Sequence, residues 1–124
     1  MPINSRDKGA RFEREVAQWF RDKLYDLEAR RGQQFAGGTD SPDVILPNIP
    51  QLHIEAKMVE RLNVYDAMLQ SIRDAGSKIP SVFMRKKGKE MLVVIRAEDI
   101  VRFSSMWQYD VLTNEYYDRA LLGN

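Results

Sequence analysis

The chain of 124 residues has no cysteine and a single histidine, His53. The first absence removes disulfides and thiolate-bound metals, and the second removes a histidine-rich zinc site, so a metal centre here is expected to be built from carboxylates. No apolar run approaches the roughly 20 residues that a membrane-crossing helix needs. The opening Met1-Pro2-Ile3-Asn4-Ser5-Arg6-Asp7-Lys8 also lacks the apolar centre of a signal peptide. A cytoplasmic location is the expectation. An excess of one charge is missing too: 19 Lys and Arg stand against 18 Asp and Glu, a balance that excludes a histone-like binder held by bulk charge. No internal repeat or low-complexity tract interrupts the chain. What remains is a composition of 44% hydrophobic and 30% charged residues, which together with this length predicts one globular domain over 1–124 with one core.

The most informative stretch runs from Ser41 to Lys57. Leu52, Ile54 and Ala56 alternate with His53, Glu55 and Lys57, so in a strand the apolar residues enter a core while Glu55 and Lys57 share the opposite face. Asp43 stands just after Pro42 at the head of a second apolar run, Val44-Ile45-Leu46. Two acids from adjacent strands can converge on one oxygen-lined cation site. Mg²⁺ prefers carboxylate oxygens and needs few protein ligands, so this pair, a backbone carbonyl and a phosphate would complete its shell. A lysine beside such a site orients or activates a water and offsets phosphate charge, which suits phosphodiester hydrolysis.

Pro42-Asp43 followed by Glu55-Ala56-Lys57 resembles the proline-aspartate and glutamate-x-lysine signature of the PD-(D/E)XK nuclease superfamily. Lys8-Gly9-Ala10-Arg11-Phe12-Glu13-Arg14 is similar to the helix that opens the archaeal Holliday-junction resolvases, where a Lys-Gly pair precedes a Glu-Arg pair and that Glu serves the metal. The resemblance extends over residues 5–103. It implies a restriction-endonuclease-like α/β fold, with a mixed central sheet of about four to five strands flanked by helices. It implies Mg²⁺ or Mn²⁺ held by Glu13, Asp43 and Glu55, with Lys57 completing the catalytic set. The activity implied is hydrolysis of DNA phosphodiester bonds, more narrowly that of a Holliday-junction resolvase of bacterial or phage type. A duplex or flap nuclease, and an inactive DNA-binding module of the same fold, are the alternatives.

In chain order, Phe12, Val16, Trp19-Phe20 and Leu24 recur at helical spacing and predict a helix over 6–27, capped by Ser5 or Asp7. Glu13 lies on the border of that apolar stripe, where a carboxylate can look into a site. Residues 28–36 read as a weak edge strand, and Gly37 to Ser41 as a loop in which Asp40 rivals Asp43. Pro47, Asn48 and Pro50 turn the chain back, which predicts an antiparallel pairing of the two acid-bearing strands. From Asn63, a helix is expected to bury Leu62, Tyr65, Leu69, Ile72 and Ala75 and to stop at Gly76, with Gln70 at the site edge, where nucleases of this superfamily often place a glutamine. Strands are predicted at 80–85 and, buried, at 91–96, then a short helix over 97–103 with Ile100 and Phe103 inward. Phosphate contacts are expected from Arg6, Lys8, Arg11, Arg30, Arg31, Lys86 and Lys87. The apolar tail, 104–124, is expected either to wrap the monomer or to pair two copies into a homodimer.

Overall fold

The structure, a computed structural model, describes the backbone at residues 5–32 and 42–113, with side chains at 7–32 and 42–107. The Asp40 loop, the Arg6 side chain and the end of the tail lie outside those residues. The first helix, α1 (Ser5–Lys23), precedes two short strands, β1 (Arg30–Arg31) and β2 (Val44–Ile45), which pair antiparallel. A longer strand, β3 (Leu52–Met58), leads through α2 (Val64–Ala75) to β4 (Ile79–Arg85), which lies parallel to it. β5 (Leu92–Ile95) then runs antiparallel on the far side of β4, and a 3₁₀ turn at Ala97–Asp99 opens α3 (Ile100–Thr113). The molecule is thus α/β, with a mixed three-stranded sheet and a separate two-stranded one. Among the described residues no helix is long and apolar enough to cross a membrane.

Helix α1 forms because Phe12, Val16 and Phe20 fall on one stripe, and all three are fully buried. Each such side chain removed from water contributes roughly 1.5–3 kcal/mol. Their partners are Leu52, Ile54, Ile79 and Phe83 on one face of the sheet, with Trp19, Phe20 and Phe83 stacked edge-on or tilted. The helix ends at Lys23, four residues short of the sequence expectation, because Tyr25 turns left-handed at φ 57° and the Leu24 and Asp26 amides both close on the Phe20 carbonyl. Asp26, buried beyond the turn, accepts from the Glu28 amide and from both the amide and side chain of Asn48. That knot ties the end of α1 to the turn before β3.

Helix α2 begins where Asn63 accepts the Asp66 amide, a cap that contributes about 1 kcal/mol. It ends at Gly76, whose φ of 61° suits glycine. Of the expected face, Ala75 is buried and Leu62 and Ile72 pack against the core, but Tyr65 and Leu69 do not. Ala67, Met68, Ser71 and Ala75 face inward, whereas Tyr65 and Leu69 are 85% and 55% exposed. Ser71 decides this rotation. Its hydroxyl donates to the Ser81 carbonyl at 3.0 Å and accepts the Ser81 amide at 3.1 Å, drawing the helix onto β4 along its small residues.

Three further expectations are corrected. Among the described residues β5 is an edge strand rather than a buried one, with Leu92 and Val93 exposed, because only β4 pairs with it. Ile100 is exposed too, while Phe103 turns inward against Trp107, so α3 covers the core with its later residues. The two acid-bearing strands do not form an antiparallel ladder: β2 pairs with β1, and its neighbour Asp43 reaches β3 through one backbone bond and its side chain.

Candidate active site

β3 is covered on both faces. Leu52 and Ile54 point toward α1, while His53 and Glu55 lie beneath α2, each 2% exposed. The period-two alternation read from the sequence is kept, but the polar face is buried as well. Such burial has to be matched by hydrogen bonds or opposite charge. Around Glu55 those partners are themselves ionisable.

Asp43 is stitched to the edge of β3 that faces away from β4. Its amide donates to the Ile54 carbonyl at 3.1 Å and its Oδ2 accepts the Ala56 amide at 2.8 Å, so one residue continues the sheet through its side chain. Its carbonyl accepts the Gly32 amide at 2.8 Å. A Cβ on Gly32 would stand 2.1 Å from the Pro42 carbonyl oxygen, a separation no side chain tolerates. Gly32→Ala is therefore expected to displace the Pro42-Asp43 segment and to destabilise the fold by about 1–3 kcal/mol, a fall of several degrees in thermal denaturation. A variant that melts with the wild type would show that this segment yields without cost.

The Asp43 carboxyl shares a hydrogen bond with Glu55, which requires a proton on one of the two. Burial pushes Asp43 up from its ordinary 3.8 to about 7; the Ala56 amide pulls the other way, and the charges of Glu55 and Glu13 add to the rise. Glu13, buried on α1, accepts from Arg31 Nε at 2.6 Å. Three of the expected acids therefore feel one another across α1, β3 and the segment before β2.

On the α2 side, Lys57 Nζ donates to Gln70 Oε1 at 3.2 Å. One turn further along the helix, Asp74 shares a hydrogen bond with Glu55, and its carboxyl is raised by its partial burial and by the Glu55 charge. The pairing follows from geometry. Two residues of strand advance about 6.6 Å and four of helix about 6 Å, so Lys57 and Glu55 on β3 match Gln70 and Asp74 on the antiparallel-running α2. His53 continues the row, its Nε2 lying 3.1 Å from Glu55 Oε1. Glu55 is the hub, touching Asp43, Asp74 and His53.

His53 and Asp74 were missed as site residues. The first was legible as the face-mate of Glu55 two positions back; the second had a weaker signal, the four-residue spacing from Gln70. Among the described residues, the group whose ligand atoms all lie within 4.8 Å of one another is His53, Glu55 and Asp74.

The basic residues divide. Arg31 is engaged with Glu13 and is one-third exposed, so it belongs to the acid cluster more than to an outer phosphate surface. Arg11 and Arg30 are exposed, Lys8 is half-buried, and Lys86 and Lys87 project from the β4–β5 turn, which closes through the Lys89 amide and Gly88 at φ 74°. No family model, curated protein or solved structure matches the chain.

Proposed function

We propose that this chain is a metal-dependent endodeoxyribonuclease with a restriction-endonuclease-like fold, as the PD-(D/E)XK resemblance implies. The observation that carries the reading is the contact of half-buried Asp43 with buried Glu55, two acids brought together from opposite sides of a turn, with Lys57 on the same strand face as Glu55. Acids so crowded that one retains its proton near neutrality suit a hard cation, which would replace that proton. The element order supports the fold: a helix, the two acid-bearing segments, then a crossover helix to a parallel strand.

Asp43 and Glu55 would hold Mg²⁺ or Mn²⁺, with Glu13 behind Asp43. When bound, the cation supplies Lewis-acid polarisation of a phosphate and a lower pKa for a coordinated water. The chain supplies the rest. Gln70 holds the Lys57 ammonium by its carbonyl oxygen, leaving donors free to orient an attacking water or to bind a phosphate oxygen. Exposed Arg11, Lys86 and Lys87 would contact the DNA backbone.

The test is incubation with linear, supercoiled, flapped and four-way-junction DNA in Mg²⁺, Mn²⁺ or chelator. Cleavage in either cation and none in chelator is expected. Lys57→Ala should reduce the cleavage rate by about a hundredfold or more while DNA affinity changes little, since one of many phosphate contacts is lost. Symmetric cutting of the junction would add the two-fold dimer that a resolvase needs. Binding to all four DNAs without metal-dependent cutting of any would sink the enzyme and leave a DNA-binding module.

A further inference from the structure

We propose that His53, Glu55 and Asp74 form a divalent-cation site, selective for a transition metal such as Zn²⁺ over Mg²⁺ and distinct in its ligands from the Asp43–Glu55 pair. The inference goes beyond the nuclease reading and stands without it.

The donor set is the first argument. A cation that holds its ligands at about 2.1 Å spaces them by roughly 3.0–4.2 Å, depending on the angle between them. Here an imidazole nitrogen and two carboxylate oxygens all lie within 4.8 Å of one another, and two of them, His53 Nε2 and Glu55 Oε1, are 3.1 Å apart. One nitrogen and two oxygens, with a position left for water, match the three-ligand centres that zinc occupies.

The setting is the second. His53 and Glu55 belong to a strand packed on both faces, so their positions are held by the core. Asp74 comes from α2, which the Ser71–Ser81 hydrogen bonds hold at a defined rotation over the sheet. Asp74 is half-buried, the one of the three ligands that is not fully enclosed. An ion here would clamp α2 to β3, next to the Lys57–Gln70 pair on the same two elements.

The nitrogen is the third. Imidazole binds Zn²⁺ and its neighbours in the first transition row far better than Mg²⁺, which retains water in preference to nitrogen ligands. Glu13, Asp43 and Glu55 offer oxygen alone. The two ligand sets that share Glu55 therefore differ in the metal they select.

His53 is the sole histidine of the chain, which makes the test direct. In the 124-residue chain carrying no added histidines, Zn²⁺ is titrated in excess Mg²⁺ while the imidazole ¹⁵N resonances are followed by NMR and heat by calorimetry. One equivalent of Zn²⁺ is expected to shift an imidazole nitrogen. Asp74→Asn, at a half-exposed position where the fold has little to lose, should weaken Zn²⁺ binding by about tenfold or more, and His53→Gln by more. Asp43→Asn should leave Zn²⁺ binding in place, even where it removes Mg²⁺-dependent cleavage. An imidazole signal that one equivalent of Zn²⁺ does not move, an Asp74→Asn protein with wild-type Zn²⁺ affinity, or displacement of Zn²⁺ by equimolar Mg²⁺ would each overturn the site. None of these results depends on whether the protein cuts DNA.

Discussion

Glu55→Gln is expected to abolish metal-dependent DNA cleavage, by about a thousandfold or more, while raising the melting temperature of the metal-free protein. The two effects share a cause. Glu55 is almost wholly buried and lies against the carboxyls of Asp43 and Asp74 and the ring of His53. Glutamine preserves its shape and its capacity to hydrogen-bond but removes a negative charge from the centre of the cluster. Repulsion among the remaining acids falls, so the fold gains, and the anionic oxygen offered to a cation is gone. Such a trade of stability for function marks a group retained for chemistry. A carboxylate retained for structure predicts the opposite. Rates of cleavage in Mg²⁺ and thermal denaturation in chelator, measured on the same preparation, separate the two, and a variant that melts lower yet still cuts would end the active-site assignment of Glu55.

The second large effect is a dependence of metal-free stability on pH. In the folded chain the Asp43 carboxyl holds its proton to about pH 7, against an ordinary value of 3.8. Between those values the folded state binds more protons than the unfolded one. The contribution of Asp43 is therefore fully present below 3.8 and is lost as the pH rises through 7. At about 1.4 kcal/mol per pKa unit, the displacement is worth on the order of 4 kcal/mol across that window. In chelator the protein should melt well below its pH 5 temperature when brought to pH 8. Saturating Mg²⁺ should close most of that gap, because the cation takes the place of the proton and binds the folded state alone. Asp43→Asn should flatten the pH response and remove the Mg²⁺ effect. A melting temperature in chelator that is equal or higher at pH 8 would separate Asp43 from the acid cluster.

Much of this site is written locally. The alternation from Leu52 to Lys57 states that His53, Glu55 and Lys57 share a side, and the structure keeps that side together. Asn63 and Gly76 bracket α2 because a cap and a left-handed stop act within one turn of the backbone. Phe12, Val16 and Phe20 declare the buried stripe of α1, and Glu13 on its border is indeed turned inward. Gln70 was legible as a neighbour of the site and bonds Lys57.

What the sequence by itself determined, then, is each element's type, much of its orientation, and the chemical identity of the groups on the polar face of β3. Those properties depend on residues one to four positions apart, where steric fit and hydrogen-bonding capacity act directly. Only the tertiary structure decided which groups meet. Arg31 closes on Glu13 from 18 residues away, and the Ala56 amide donates to the Asp43 carboxyl across 13. Ser71 turns α2 so that Asp74, an unremarked acid in the sequence, reaches Glu55, while Tyr65 and Leu69 go to solvent despite their apolar spacing. The reason is that burial, proton affinity and metal-ligand spacing are set by what packs across space, and α2 can rotate by a fraction of a turn without changing any local preference. A single serine hydrogen-bonded to β4 selects that rotation, and with it the partners of the buried acid at the centre of the site.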